Sequence, residues 1–272
     1  MWSNPRVLNG IANGLFGLAA LLVISAGAHA LVRSPVFALR SMQITGELQH
    51  VRRPQIVAAL QGRVSGTFFT IDLDGLRARF ESIPWVRRAE VRRHWPDRLV
   101  VRLEEHVALA HWGRREDARL VNVQGEVFSA QFGPLSGPLS GALSGALSGA
   151  DLPSFSGPPG SEHELARRYV EFVSLLAPLG AAPRQLILSD RLAWQVRTED
   201  GLVLQLGRDA PKDSVSERLA RFADAYPRTI RPMEARLAQA ELRVDLRYPN
   251  GFAVKVPGIE RLNQEKVRGR WQ

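Results

Sequence analysis

Residues 7–32 read VLNGIANGLFGLAALLVISAGAHALV, an unbroken run with no formal charge. Ile11, Leu15, Leu18, Leu22 and Ile24 place bulky apolar side chains along its length. Wound as a helix at ~1.5 Å per residue, the run extends roughly 39 Å, more than the ~30 Å of hydrocarbon in a bilayer. A helix in a water-soluble core carries a polar stripe on one side. This run has none, so 11–32 is expected to cross a membrane behind a short tail, 1–10. A cleaved secretory signal is the competing reading: Arg6 supplies a thin basic start, and Ala28, His29 and Ala30 fit a small-x-small cleavage site. The apolar core, 11–28, is longer than the ~7–15 residues usual in such a signal, which favours a retained anchor. Charge orients the helix poorly, because Arg6 on one side faces Arg33 and Arg40 on the other. Bulk decides instead: few residues precede the helix and most of the chain follows. Either reading keeps the N-terminus in the cytoplasm and exports the rest.

Composition narrows the function. Of 272 residues, 45% are hydrophobic, enough for packed cores in the exported part. The formal net charge is +9, carried mostly by arginine. In a cytosolic protein that balance would point to nucleic acid; behind an anchor it points to anionic headgroups or acidic protein segments. A base composition rich in G and C would also raise arginine content without any partner. The chain has no cysteine, which excludes disulfides, cysteine-ligated metals and cysteine nucleophiles.

After the anchor, Pro35 breaks the helix and 36–45 reads as a strand ending at Gly46. Pro54 suits the first turn of a helix through 60 that stops at Gly62. A second helix is expected over 71–80, with Asp72 as its cap and Leu73, Leu76 and Phe80 at helical spacing. Residues 85–95 and 99–105 then read as strands joined by a turn at Trp95, Pro96, Asp97 and Arg98. Leu99, Val101 and Leu103 alternate with Val100, Arg102 and Glu104, the pattern of a half-buried edge strand. The order strand, helix, helix, strand, strand makes a compact α/β unit over 36–106. From 107 to 257 short strands dominate: 108–112, 120–123, 127–129, 185–188, 193–198, 202–206, 242–246 and 252–256. Two helices interrupt them, an amphipathic one at 162–176 with Leu165, Tyr169, Phe172 and Leu176 on one stripe, and another at 214–226. Four Gly-x-Leu-Ser units from Gly133 to Ser148 are too poor in bulk to order themselves, so 133–150 reads as a flexible insertion. Residues 258–272 read as a disordered basic tail. The fold class expected is α+β: one transmembrane helix, a βααββ domain, and a mainly antiparallel β-domain with flanking helices.

Chemistry is sparse. There is no phosphate-cradling glycine loop, and the serines of the repeat do not sit in a strand–turn–helix nucleophile elbow. His106 and His111 point to opposite faces of extended chain, and His163 beside Glu164 lacks a second metal-binding histidine. Glu104 and Glu105 also face apart. The pairs Arg87/Arg88 and Arg92/Arg93 split between faces and read as a solvated surface. No enzyme, no cofactor, no metal, no nucleic acid and no small-molecule substrate is expected.

The stretch PWVRRAEVRRHWPDRL, 84–99, resembles the signature of the FtsQ family of bacterial cell-division proteins. Leu206-Gly207-Arg208 followed by Arg218-Leu219-Ala220-Arg221-Phe222 and Tyr226-Pro227 is a second likeness; Val244-Asp245-Leu246-Arg247-Tyr248 with Gly251 is a third. With the anchor they cover most of the chain in the right order. The resemblance implies a bitopic inner-membrane protein with a periplasmic POTRA domain and a C-terminal β-domain. Such a protein is a non-catalytic divisome scaffold at the septum, linking early and late components. It implies FtsB and FtsL as partners, FtsB adding as a further strand at the last strands of the β-domain and bringing acidic side chains to arginines. Position by position, Arg247, Tyr248 and Gly251 match that site, Arg191 resembles its second arginine, and Phe252 stands beside them as an apolar substitute. Pro249, Asn250 and the Gly-x-Leu-Ser insertion depart from the family. The alternative class is a POTRA-containing component of protein export or outer-membrane secretion, against which stands the lack of any barrel-length strand series. A retained anchor predicts intact chain in the membrane fraction, resistant to carbonate extraction. A soluble mature protein beginning at Leu31 would instead identify the cleaved signal.

Overall fold

One helix, α1 (Pro5–Val32), opens the chain and carries its apolar residues outward on every side. The computed structural model describes residues 5–60, 66–114, 117–130, 152–234, 242–248 and 251–255. Among these, Asn9–Val32 is the one helical stretch long and apolar enough to cross a membrane, and its most apolar window is not buried. Ile11, Leu15, Leu18, Leu22 and Ile24 are all exposed. Gly62, the Gly-x-Leu-Ser insertion and the C-terminal tail lie outside the described residues.

The chain divides into two units, Met1–Glu105 and His106–Gln272. In the first, β1 (Ser41–Thr45), α2 (Arg53–Leu60), α3 (Leu73–Glu81), β2 (Val86–His94) and β3 (Arg98–Glu105) follow in the expected order. The strand expected from 36 is shorter than its sequence suggested. Pro35–Phe37 is a 3-10 turn capped by the Ser34 hydroxyl, and pairing starts only at Ser41, opposite Arg98 where β3 begins. The sheet order β1-β3-β2 also corrects the edge assignment for 99–105. Alternation there reports that one face of β3 is buried, and both long sides of the strand are paired, parallel to β1 and antiparallel to β2. Gly46 ends β1 because a Cβ there would stand 2.2 Å from the Leu103 carbonyl oxygen. Asp72 caps α3 as expected, accepting from the Gly75 N–H at 3.0 Å. Leu76 and Phe80 from α3, Ile56 from α2, and Ala89, Leu99, Val101 and Leu103 from the sheet close the core.

At the end of β3 the Glu105 carboxylate, nearly withdrawn from solvent, fills a loop between β1 and α2. The backbone N–H groups of Gln49, His50 and Val51 donate to it at 3.1, 3.1 and 2.7 Å, and the His50 ring approaches at 3.2 Å. That ring stacks on Trp85 at 3.9 Å. Burial pushes the Glu105 carboxyl up, but the His50 hydrogen bond and the three amides outweigh it and hold the group below its ordinary value.

The second unit is built on a nine-stranded sheet in the order β12-β11-β10-β9-β8-β7-β4-β5-β6. Its strands are β4 (Ala108–Trp112), β5 (Arg119–Asn122), β6 (Val127–Ser129), β7 (Ser154–Ser156), β8 (Pro183–Leu188), β9 (Ala193–Thr198), β10 (Val203–Arg208), β11 (Arg243–Asp245) and β12 (Ala253–Lys255). Helix α4 (Glu162–Leu176) lies where expected and buries Leu165, Phe172 and Leu176. Helix α5 (Val215–Thr229) runs past Pro227 rather than stopping near Tyr226, and a short α6 (Arg231–Glu234) follows. Pro227 sits in the last turns of α5, where Ile230 still bonds back to the Tyr226 carbonyl at 3.0 Å. Strand β7 was not foreseen: three residues, two of them serine, carry no alternation. It is defined by its neighbours, pairing in parallel with β4 on one side and β8 on the other.

Because the Glu105 carboxyl is depressed in the fold, its contribution to stability is complete above the ordinary glutamate pKa of about 4.3 and disappears as pH falls through the lower folded value. Glu105→Gln in the full chain should lower the first unit's stability by about 2 kcal/mol at neutral pH and flatten its acid dependence, since charged hydrogen bonds of this kind are worth that much. Thermal unfolding between pH 3 and 7 reads both effects.

Candidate functional site

Strand β12 terminates the large sheet. Among the described residues it pairs only with β11, through Arg243↔Lys255, Val244↔Val254 and Asp245↔Ala253. In the strand order of the described residues β12 therefore stands at the end, and an end strand is the template on which an additional strand forms. Phe252 and Val254 are turned into the core. The Phe252 ring meets Phe222 of α5 edge-to-face at 5.4 Å, and Phe222 in turn meets Tyr226 at 5.5 Å. Phe252, just ahead of β12, thus packs against the helix layer, and Val254 of β12 packs on the same core.

Register gathers the expected arginines at one end of this sheet. β11 runs parallel to β10, with Val203↔Arg243, Leu204↔Val244 and Gln205↔Asp245, so both strands leave at the same end. β9 begins at that end, with Ala193 opposite Arg208. The β8–β9 turn bearing exposed Arg191, the exposed Arg208 and the segment with Arg247 and Tyr248 consequently share one rim. Tyr248 is 54% exposed. Gly251 is exposed too, and a Cβ on it would meet no described atom within 4 Å. Arg208 belongs to this rim although its sequence position offered no such hint; only the parallel pairing of β10 and β11 brings it there.

The arginine at 247 is oriented by its own strand. Its Nε and Nη2 donate to Oδ1 and Oδ2 of Asp245 at 2.8 and 2.6 Å, a two-pronged ion pair, and its backbone N–H adds a bond at 3.1 Å. Hydrogen bonding from Arg247 holds the Asp245 carboxyl below its ordinary range. The Arg247 stem crosses directly over Gly207, where a Cβ would come within 2.8 Å of its Cγ. Gly207 has φ +76°, and the β9–β10 register shifts at it. Both the left-handed backbone and the crossing side chain require glycine there.

Beneath the rim, the motif residue Arg218 of α5 is buried. Its Nη1 donates to the Leu206 carbonyl, its Nη2 to the carbonyls of Arg208 and Asp213 at 2.6 and 2.7 Å, and its Nε to the Asp213 carboxylate at 2.8 Å. Asp213 also takes Arg221 at 2.7 Å. The Arg221 bond, with Arg218 behind it, holds the Asp213 carboxyl low against the opposing effect of desolvation. The start of α5 is fixed by a reciprocal cap, Ser214 accepting from the Glu217 N–H at 3.2 Å and Glu217 accepting from the Ser214 N–H at 2.9 Å. His106 stacks on Phe128 at 4.1 Å and bonds Asn122, and no group of three or more His, Cys, Asp or Glu among the described residues could hold a metal.

Truncating Arg218 removes the shared donor from the carbonyls of Leu206, Arg208 and Asp213 and leaves the Asp213 carboxylate to Arg221. Arg218→Met should cost about 3 kcal/mol, as removal of one partner from a buried charge network does, and should loosen the Gly207 region in hydrogen exchange before the rest of the sheet.

Two family models match this chain: "POTRA domain, FtsQ-type" over residues 37–106 and "Cell division protein FtsQ/DivIB, C-terminal" over residues 110–260. The Cell division protein FtsQ of Burkholderia pseudomallei is 40% identical over 259 residues, covering 95% of this chain and 96% of that protein. Its counterpart in Nitrosospira multiformis is 39% identical, covering 94% and 99%, and that in Bordetella pertussis 37%, covering 93% and 92%. Domains matched in sequence, in the order in which the fold presents them, and relatives aligned almost end to end lead to one conclusion: the chain belongs to the FtsQ family of cell division proteins.

Proposed function

We propose that this protein is a non-catalytic, single-pass scaffold of the bacterial divisome, anchored in the inner membrane with its N-terminus in the cytoplasm and its bulk in the periplasm, at the septum. In this reading 1–10 is the cytoplasmic tail, 11–32 the membrane helix, 36–106 the POTRA domain and 107–257 the β-domain with its insertion at 133–150; 258–272 form the tail. Its task is to link early and late division proteins by holding FtsB, and with it FtsL, at the open edge of the β-domain.

The observation that carries the proposal is the place of β12 at the end of the strand order of the described residues, beside a rim holding Arg191, Arg208, Arg247 and exposed Tyr248. A partner strand laid along β12 gains main-chain hydrogen bonds, while side chains set specificity. Acidic residues on that strand meet the arginines; the Arg247 guanidinium, already oriented by Asp245, has donors left over for a second carboxylate. Tyr248 offers a large ring with a polar tip, a side-chain type frequent among interface hot spots. Gly251 leaves room for close backbone approach, and Phe252 supports from behind by fastening β12 to α5.

Tyr248→Ala should weaken FtsB binding by about 2 kcal/mol, roughly thirtyfold in Kd. Arg247→Glu should weaken it further by placing like charges together. Both variants should keep membrane insertion and native circular dichroism. Co-purification of FtsB from membranes with both variants at wild-type yield would overturn the site.

A further inference from the structure

Three separated segments of the first unit converge on the exit of α1. The Val32 carbonyl, in the last turn of that helix, accepts from the Thr67 hydroxyl at 2.8 Å. Thr67 forms a bridge with Ala38, and the Phe68 N–H donates to the Phe37 carbonyl at 2.7 Å. The tip of the β2–β3 hairpin is tied to the same group: the Arg40 N–H donates to the Asp97 carbonyl at 3.0 Å, and Arg93 Nη2 donates to the Ile71 carbonyl at 2.9 Å. Segments 33–40, 66–71 and 93–98 therefore make one hydrogen-bonded end of the unit, joined to the helix terminus.

That end is unusual for what it exposes. Trp95 and Val36 are each 74% accessible and Phe69 46%, whereas Trp85 in the same unit is buried. Phe69 stands on a base of Phe37 and Phe68, with ring centroids 5.1 and 5.3 Å away. Around these apolar groups the three segments carry Arg33, Arg40, Arg93 and Arg98 against a single carboxylate, Asp97, which pairs with Arg40 at 3.7 Å. Arg33 and Arg98 have no acidic partner among the described residues. A 28-residue helix is ~42 Å long, about the thickness of a bilayer with its headgroups, so Val32 arrives at headgroup level.

We propose that this end of the first unit rests on the membrane itself, with Trp95, Phe69 and Val36 seated at the hydrocarbon boundary and Arg33 and Arg98 on anionic lipid phosphates. The inference rests on α1 spanning the membrane. Tryptophan, with an apolar ring and one N–H donor, partitions to that zone; arginine beside it gains from the negative surface potential. Lipid is favoured over a protein partner because the patch is continuous with the anchor and its charge complements phosphate. Docking there fixes the height and tilt of the first unit above the bilayer.

The absence of cysteine makes single-site labelling of the full chain straightforward. A nitroxide on His94→Cys, exposed beside Trp95, reports collisions with a water-soluble nickel relaxant in vesicles of phosphatidylethanolamine and phosphatidylglycerol; a second label on Ile24→Cys reports the anchor. The expected result is protection at both positions. Adding Trp95→Ser with Phe69→Ser should open position 94 to the relaxant and leave position 24 unchanged. Arg33→Glu with Arg98→Glu should abolish the dependence on phosphatidylglycerol, weakening docking roughly fivefold for each charge. Position 24 protected with position 94 fully accessible would overturn the docking while sparing the anchor. Relaxant reaching position 24 would overturn the spanning helix, and the docking with it. Protection at 94 seen only in native membranes, never in pure lipid, would assign the patch to a protein partner and refute the proposal.

Discussion

A guanidinium keeps its charge inside a protein, so the burial of Arg218 commits every atom around it. Its donors can be met only if the carbonyls of Leu206, Arg208 and Asp213 turn inward together, and they do. Two of those carbonyls flank Gly207, and turning both toward α5 goes with the left-handed backbone and the register shift seen at that residue. The shift leaves a shallow seat across the strand, and Arg247, two residues past β11, lies over it. One buried charge on a helix thereby helps set the geometry of an exposed charge at the end of β11, the strand beside the sheet's last one. Gly207, Arg218 and Arg247 form a chain of mutual constraint, and the rim of the β-domain depends on it.

The same economy of polar contacts recurs where helices meet. Arg168 of α4 reaches Glu164 and Glu171 on its own helix, Ser216 on α5 at 2.9 Å, and Asp209 in the preceding loop, whose other oxygen accepts from the Val215 N–H at 3.0 Å. In the first unit Glu105 plays the inverse role, an anion receiving three successive amides. With no cysteine in the chain, no disulfide can staple its loops. Charged groups withdrawn from water and fully bonded fix the loops that disulfides often fix elsewhere, at the cost of sensitivity to acid where carboxylates hold the pattern.

A site made of a strand edge differs in kind from a pocket. Its affinity comes from backbone groups that any sequence provides, so discrimination must come from the few side chains at its border. In the proposed site that border is a rim of arginines with one tyrosine, while Phe252 and Val254 pack against the core beside it. The large sheet makes this possible because its two parts, β4 to β6 and β8 to β12, are joined through β7 into one continuous platform.

Much of the fold could be read in order along the chain. The uncharged run, the Asp72 cap, the stripe of Leu165, Phe172 and Leu176, and the alternation in 99–105 each depend on neighbours within a few residues, and local physics is written locally. Local pattern was silent or misleading wherever pairing decided the outcome. β7 exists because β4 and β8 flank it, β1 starts where β3 offers a partner, and β3 is central although its alternation looked like an edge. Arg191, Arg247, Tyr248, Gly251 and Phe252 stand out only through family likeness, and nothing in the residues alone separates them from other surface groups. What the sequence by itself determined was the long apolar helix, the two kinds of domain and the absence of cysteine chemistry. Only the tertiary structure decided that Arg208 joins the rim, that Phe252 faces inward and that Arg218 holds the bulge, because register and burial are properties of strands and helices distant in sequence that meet in space.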